Sequence, residues 1–159
     1  MNLTLSTVLD AHPDEVWREV NRPELLLHVA WPLLVFEPLD PDRFPERWEE
    51  REYRVRMRQF GVLPVGWQVI GIERPPHSDR ARHLRDNGRG TLASTWDHLI
   101  TVEPIDDQHG RTKTRYTDRL GVRAGLLTPM VWAFARLFYA HRQRRWRRLV
   151  RRGFEYGGD

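Results

Sequence analysis

The first residues of the chain change from a two-residue alternation of apolar and polar positions to a helical repeat. Residues 3–9 alternate, include β-branched side chains and predict a strand. Pro13 suits the first turn of a helix, and the two acidic residues after it complement the positive end of the helix dipole. We therefore predict a helix that opens near Pro13 and a second short helix over residues 24–30.

Beyond these helices the pattern becomes that of strands separated by short turns. Each segment has either alternating positions or a short apolar run, and Pro, Gly, Asn and Asp lie between the segments. The predicted strands are residues 33–38, 50–59, 65–74, 81–86, 92–103 and 112–122. Residues 87–90 (Asn-Gly-Arg-Gly) predict the turn after the fourth of them. With residues 3–9 this makes seven strands, and their spacing favours an antiparallel sheet.

The last part of the chain has the period of a long amphipathic helix. Apolar residues recur near every 3.6 positions from about residue 125 to residue 154, and Pro129 suits the first turn. The predicted architecture is a single α+β domain over residues 1–159. In it a seven-stranded, curved antiparallel sheet wraps around the C-terminal helix, the two short helices close one end, and a space remains between sheet and helix.

Four stretches of the sequence carry a resemblance to a known superfamily. They are Ser6–Trp17, Thr95–Pro104, Thr114–Leu120 and Phe138–Trp146. In their order and residues they resemble the SRPBCC superfamily, which has the START-like or Bet v 1-like helix-grip fold, and in particular its bacterial members of the polyketide cyclase/dehydrase type. The resemblance implies the same fold and a lipid carrier, a hormone binder, a cyclase or an oxygenase domain. The iron-ligand pattern of the oxygenases is absent from the sequence.

Composition narrows the chemistry further. The 159 residues include no cysteine, which excludes disulfides, thiolate zinc sites, iron–sulfur clusters and cysteine nucleophiles. No Gly-x-Ser-x-Gly motif is present, and His83 and His98 lack a clear third metal ligand. We expect no metal and no cofactor. The N-terminus shows no signal-peptide pattern, so we expect a cytoplasmic, soluble protein.

The last predicted hairpin places polar side chains on its inner face. A five-residue turn centred on Gln108 would set His98 opposite Asp118, with Cβ atoms about 5 Å apart. A shift of the register by two residues would set Tyr116 or Leu120 opposite His98 instead. The pair has two interpretations. It is either a buried pair whose two members neutralise each other and fix the register, or a polar pair that orients a ligand or moves protons, with Asp118 raising the pKa of His98.

The preferred functional hypothesis is that a small lipophilic molecule binds between the sheet and the C-terminal helix. An apolar and aromatic lining with few polar groups is typical of a small-molecule site. The candidate ligand-binding residues are Tyr53, Val55, Met57, Trp67, Trp96, His98, Ile100, Tyr116, Asp118, Met130, Phe134 and Phe138. The alternative is a cyclase or dehydratase, with His98 as general acid or base, Asp118 orienting it and Tyr116 donating to an enolate.

A third hypothesis concerns the arginines of the C-terminal helix. Residues 142–152 hold seven arginines and no acid, whereas acids outnumber bases by three in the rest of the chain. A solvated helix end explains such a run. The alternatives are an interaction module that contacts phosphate, RNA or the ribosome through Arg142, Arg144, Arg145 and Arg148, or peripheral contact with an anionic membrane. The apolar run over residues 126–135 is too short to span a bilayer.

Overall fold

A computed structural model describes residues 1–78 and 80–157. The elements are β1 Asn2–Leu9, α1 Pro13–Val20, α2 Pro23–Ala30, β2 Leu34–Asp40, β3 Glu52–Gln59, β4 Leu63–Glu73, β5 Arg82–Gly90, β6 Thr95–Asp106, β7 Thr112–Arg123, a 3₁₀ turn Gly125–Leu127 and α3 Thr128–Arg151. This order confirms the predicted α+β helix-grip fold. Residues 79, 158 and 159 of the predicted domain lie outside the described residues.

The seven strands form one antiparallel sheet in the order β1-β7-β6-β5-β4-β3-β2. One face of the sheet is buried against the helices. Strand β3 shows the alternation that the sequence predicts, because Tyr53, Val55 and Met57 are buried whereas Arg54 and Arg56 are exposed. The inward-facing side chains of the strands therefore form the core together with the helices.

The two short helices close one end of the sheet. His12 caps α1: its Nδ1 accepts a hydrogen bond from the Asp14 N–H at 3.3 Å, and the Glu15 carboxylate accepts one from the His12 N–H at 3.3 Å. Helix α2 starts at Pro23, whose missing N–H costs nothing in a first turn. Both helices bury one apolar face in the core.

Helix α3 is fastened along one face to the edge strand β1. Three side chains donate hydrogen bonds to β1 at 3.0 Å each: Trp132 to the Asn2 carbonyl, Gln143 to the Leu5 carbonyl and Arg147 to the Thr7 hydroxyl. A neighbouring face of the helix carries Met130, Phe134, Phe138 and Arg142 at four-residue spacing, and we call these four residues the cavity stripe. Since residues four apart lie on the same side of a helix, all four side chains face the strands β2–β6.

The predicted turn at Asn87–Gly90 is wrong, because these residues continue strand β5. A Cβ atom at Gly90 would lie 2.4 Å from the Trp67 carbonyl oxygen of the neighbouring strand. The glycine thus permits a close approach of two strands instead of a turn. The hairpin turn follows between Gly90 and Thr95, so β6 also starts later than predicted.

The register of the β6–β7 hairpin differs by two residues from the one predicted. His98 lies opposite Leu120, and Ile100 lies opposite Asp118. The Asp107 carboxylate is responsible, because it accepts the N–H groups of His109 at 2.8 Å and of Arg111 at 3.0 Å and so centres the turn on His109. These hydrogen bonds, with that of Arg111 first, lower the pKa of Asp107 to about 2 against the effect of desolvation.

The arginines of α3 do not form one surface. Arg142 and Arg145 are buried, and the Arg145 Nε donates to the His28 carbonyl at 2.8 Å. Arg144 and Arg148 are exposed. The helical period places two of the four predicted phosphate-binding arginines in the core and two on the surface. The predicted set of Arg142, Arg144, Arg145 and Arg148 therefore does not share one face. No helix within the described residues combines the length and apolar character that a membrane crossing requires.

The close approach of β4 and β5 gives a test of the fold. A Cβ atom at Gly71 would lie 2.6 Å from the Asn87 carbonyl oxygen, whereas one at Gly121 would meet nothing closer than 3.6 Å. We expect Gly71→Ala to lower the free energy of unfolding by about 1–3 kcal/mol, since backbone must move. Gly121→Ala is the matched control and should change it little. Urea denaturation measures both, and equal effects of the two substitutions would contradict the close approach.

Candidate functional site

A cavity of about 320 Å³ lies between α3 and the strands β2–β6. Leu25 and Leu26 of α2 border it at one side, and β1 and β7 contribute no residue to its lining. The cavity stripe runs along it, from Met130, which is 62% exposed, to Arg142, which is 7% exposed. At 1.5 Å per residue the stripe spans about 18 Å. The cavity thus leads from an open apolar end to a buried polar end.

Seven of the twelve predicted ligand-binding residues border this cavity. They are Met57, Trp96, His98, Ile100, Met130, Phe134 and Phe138. Their placement follows from strand alternation and helical spacing, the two patterns on which the prediction relied. The remaining five residues do not border the cavity.

Two of those five, Tyr53 and Trp67, lie elsewhere for different reasons. Tyr53 packs on Trp48, with ring centroids 5.0 Å apart, and its hydroxyl accepts a hydrogen bond from the Glu49 N–H at 3.1 Å. Trp67 lies directly opposite Arg56 and shares the outer face with it, where the Arg54 guanidinium stacks 5.2 Å from the indole. The expectation that Trp67 lines the cavity is wrong, because its position in β4 points outward.

The other three residues, Val55, Tyr116 and Asp118, are buried beside or behind the cavity. Val55 has no exposed surface, and Tyr116 and Asp118 are each 2% exposed. The Tyr116 hydroxyl donates to Asp118 at 3.1 Å. It does not border the cavity, so the expected donation from Tyr116 to a substrate enolate is not available in this arrangement.

Asp118 is the acceptor at the centre of a buried network. Its Oδ1 lies 2.8 Å from the His98 Nε2 and accepts from Tyr116, and its Oδ2 accepts from the Gln143 amide at 2.9 Å. The predicted contact between His98 and Asp118 is therefore present, although it forms diagonally across the shifted register. Of the network, only His98 reaches the cavity.

The protonation states in this network follow from burial and hydrogen bonding. Burial lowers the pKa of His98 overall, because desolvation outweighs Asp118, whose hydrogen bond and charge raise this pKa as expected. Burial also opposes ionisation of Asp118, but the hydrogen bond from His98, with contributions from Arg142 and Gln143, lowers its pKa overall. His98 is thus neutral near pH 7. Since Nε2–H is donated to Asp118, Nδ1 is the ring nitrogen left as an acceptor.

Arg142 is the polar residue of the cavity that the sequence analysis misassigned. Its Nε is buried without a hydrogen-bond partner, and its guanidinium lies 4.7 Å from the centroid of the Tyr139 ring and 5.7 Å from that of Phe138. No carboxylate among the described residues lies within ion-pair distance of it. The signal that could have found Arg142 is the cavity stripe, of which it is the next member after Phe138.

Asp86 is the second polar residue that the sequence did not reveal. It borders the cavity from β5, and its Oδ1 accepts the Gly71 N–H at 2.8 Å, where the β4–β5 ladder is interrupted. Burial raises the pKa of Asp86 from 3.8 to about 7, against the effects of the Gly71 hydrogen bond and of Arg142. Asp86, His98 and Arg142 together form the polar floor of the cavity. Among the described residues no group of three His, Asp or Glu side chains could hold a metal ion.

Comparison of the sequence with family models assigns the chain to a family. The model described as Domain of unknown function (DUF8410) matches residues 7–150. The chain belongs to the DUF8410 family. No curated protein matches it. The family description names no activity.

Solved structures similar to this DUF8410 protein share its fold. A START superfamily protein from Mycobacterium smegmatis superposes with a TM-score of 0.64 at 12% identity, over 95% of this chain and 97% of that one. The Zhui aromatase/cyclase from Streptomyces sp. R1128 has a TM-score of 0.62 at 13% identity, over 100% and 99% of the two chains. Protein CV1439 from Chromobacterium violaceum has a TM-score of 0.64 at 16% identity, over 94% and 96%. The resemblance to the SRPBCC superfamily is thereby confirmed at the level of the fold.

The raised pKa of Asp86 gives a test by pH-dependent stability. The folded state binds a proton at Asp86 between about pH 4 and pH 7 that the unfolded chain has released, so its stability falls as the pH rises through this range. Asn does not titrate. We therefore expect the stability of Asp86→Asn, relative to the parent protein, to increase with pH over this range by up to about 4 kcal/mol, at about 1.4 kcal/mol per pKa unit.

The control for this experiment is Asp97→Asn on the outer face of β6. The Arg85 hydrogen bonds lower the pKa of Asp97, so this variant should lose stability relative to the parent as the pH rises through about 4. Urea denaturation at several pH values measures both trends. A flat difference for Asp86→Asn would show that its carboxylate ionises as it does in the unfolded chain.

Proposed function

We propose that this protein binds a small lipophilic molecule in the cavity between α3 and β2–β6. The observation that carries the proposal is a cavity of about 320 Å³ with mostly apolar walls and a few polar groups. Small-molecule sites have volumes of about 300–1,000 Å³, mostly apolar walls and a few placed polar groups. This cavity has all three properties.

The walls favour an apolar ligand over a polar one. Leucine, isoleucine, valine, methionine and aromatic side chains from five strands, three helices and two connecting segments line them, among them Phe36, Trp48, Ile70, Leu84 and Phe134. Burial of apolar surface contributes about 25 cal/mol per Å², before the cost of ordering the ligand is subtracted. A polar ligand body would lose its hydration along these walls without gaining hydrogen bonds.

The names of the structural neighbours are consistent with a protein that binds a small molecule. They include a START superfamily protein and an aromatase/cyclase, and both names belong to proteins of the same fold. A fold hosts many functions, so the proposal rests on the cavity itself.

A cavity-filling variant tests the proposal. Val131 lines the cavity and is 7% exposed, whereas Leu137 lies on the outer face of the same helix and is 70% exposed. We expect 1-decanol to bind the parent protein, Val131→Phe to weaken this binding at least tenfold, and Leu137→Phe to leave it unchanged. Isothermal titration calorimetry measures all three. Unaltered affinity in Val131→Phe, with the variant folded, would place binding outside the cavity.

A second candidate function is proton transfer to and from the α-carbon of a bound carbonyl compound. The observation that favours it is the state of His98, which is neutral, borders the cavity and is held by Asp118 through Nε2. In this reaction the Nδ1 atom of His98 would take a proton from the α-carbon, which leaves an enolate and an imidazolium, and would then return a proton to the same carbon.

Deuterium exchange tests this second candidate. We expect 2-decanone in D₂O to gain deuterium at its α-carbons faster with the parent protein than without it, and His98→Asn to remove the acceleration. His83→Asn is the control, because His83 contacts the Thr101 hydroxyl at 3.3 Å and does not border the cavity. Mass spectrometry of the recovered ketone measures the exchange. Acceleration that survives in His98→Asn would exclude His98 as the base.

A further inference from the structure

We propose that Arg142 binds the carboxylate of an elongated amphipathic ligand whose apolar body lies along the cavity stripe. This inference rests on the proposed function and adds to it the chemical class of the ligand. It starts from a guanidinium at the inner end of the cavity that has ring contacts but no hydrogen-bond or ion-pair partner among the described residues.

The state of Arg142 is unusual for a buried arginine. Arginine keeps its charge in proteins, and a buried charge is normally paired. Arg142 is 7% exposed, its Nε has no hydrogen-bond partner among the described residues, and its guanidinium lies against the rings of Tyr139 and Phe138. Aromatic rings stabilise a cation but accept no strong hydrogen bond from its N–H groups. The Nε–H of Arg142 has no acceptor among the described residues, and its terminal N–H groups are available to an acceptor that a ligand brings into the cavity.

The nearby carboxylates do not meet this need. Asp118 already accepts hydrogen bonds from His98, Tyr116 and Gln143. Asp86 accepts the Gly71 N–H. Neither lies within ion-pair distance of Arg142. The polar floor therefore offers a cationic donor to the cavity, and the group that complements it is an acceptor.

A single carboxylate fits this floor better than a phosphate. The planar guanidinium pairs with a carboxylate through two parallel N–H···O bonds. Arg142 is the only Lys or Arg among the lining residues apart from Arg22, which makes ion pairs with Glu19 and Glu24. Asp86 on the same floor would oppose a second negative charge. One cation and one neighbouring acid therefore select a monoanion.

The cavity stripe also defines the shape of the ligand. Met130, Phe134 and Phe138 occupy the turns between the exposed end of the cavity and Arg142. A ligand whose carboxylate reaches Arg142 must place its next atoms against these apolar side chains. An unbranched acyl chain or a narrow aromatic acid meets this requirement, whereas a molecule that is polar along its length does not.

Paired ligands test the inference. Decanoate and 1-decanol share an apolar chain and differ in the terminal group, and both are titrated into the protein by calorimetry at pH 6, where decanoate is ionised and Asp86 keeps its proton. We expect decanoate to bind at least tenfold more tightly than 1-decanol. In Arg142→Met we expect this preference to disappear, with binding of 1-decanol kept. Arg144→Met is the matched control, because Arg144 is exposed on the same helix, and it should keep the preference.

The outcomes separate this inference from the proposed function. Binding of both ligands with equal affinity would overturn the role of Arg142 and leave the lipophilic site standing. Retention of the preference in Arg142→Met would also overturn it. If neither ligand bound the parent protein, the proposed function would fail and the inference would fail with it.

A second measurement on the parent protein does not depend on the folding of a variant. The carboxyl resonance of [1-¹³C]decanoate reports the pKa of the bound acid by NMR titration. A carboxylate beside a guanidinium titrates below the free acid, whereas one in apolar surroundings titrates above it. A lowered pKa for the bound acid supports contact with Arg142, and a raised one overturns it.

Discussion

The open cavity depends on the attachment of α3 at its far side, and the Gln143 amide is at the centre of that attachment. This one NH₂ group donates to the Leu5 carbonyl at 3.0 Å and to the Asp118 carboxylate at 2.9 Å. Asp118 in turn holds His98 of β6, so a single chain of contacts joins the helix to three strands. Hydrogen bonds to a buried charged group are among the stronger ones, and leaving such a charge unsatisfied is costly. The helix is thereby held over β1 and β7, while its cavity stripe faces open space.

The elements of this fold could be predicted from the sequence because the periods of its apolar positions are clear. Alternation indicated strands such as β3, and the helical repeat indicated α3 with three of the four residues of the cavity stripe. The register of the last hairpin could not be predicted in the same way. It depends on the Asp107 carboxylate, which organises the turn through two backbone N–H groups, and nothing in the alternation reveals this contact. A two-residue shift also preserves the inner face, so the pattern is equally compatible with both registers.

The polar floor was the part least accessible to sequence reasoning. Arg142 begins a run of arginines whose other members mostly face solvent, and composition alone gives no reason to separate one from the rest. Its burial follows from helical geometry, because it stands four residues after Phe138 and shares that face. Asp86 was hidden for a related reason. It adjoins a glycine-containing segment that has the composition of a turn, yet close strand packing makes the same glycines part of β5.

The division of α3 into an attached face and a cavity face has a consequence for how such proteins diverge. Side chains at Met130, Phe134 and Phe138 touch no hydrogen bond that holds the helix in place, so substitutions there reshape the space available without detaching the element that encloses it. The residue at position 142 instead determines the charge at the inner end of the cavity. Shape and charge are thus encoded at separate turns of one helix. In homologues of such a protein, single substitutions on this face of the helix can change the length or width of the ligand that fits, while the sheet is unchanged.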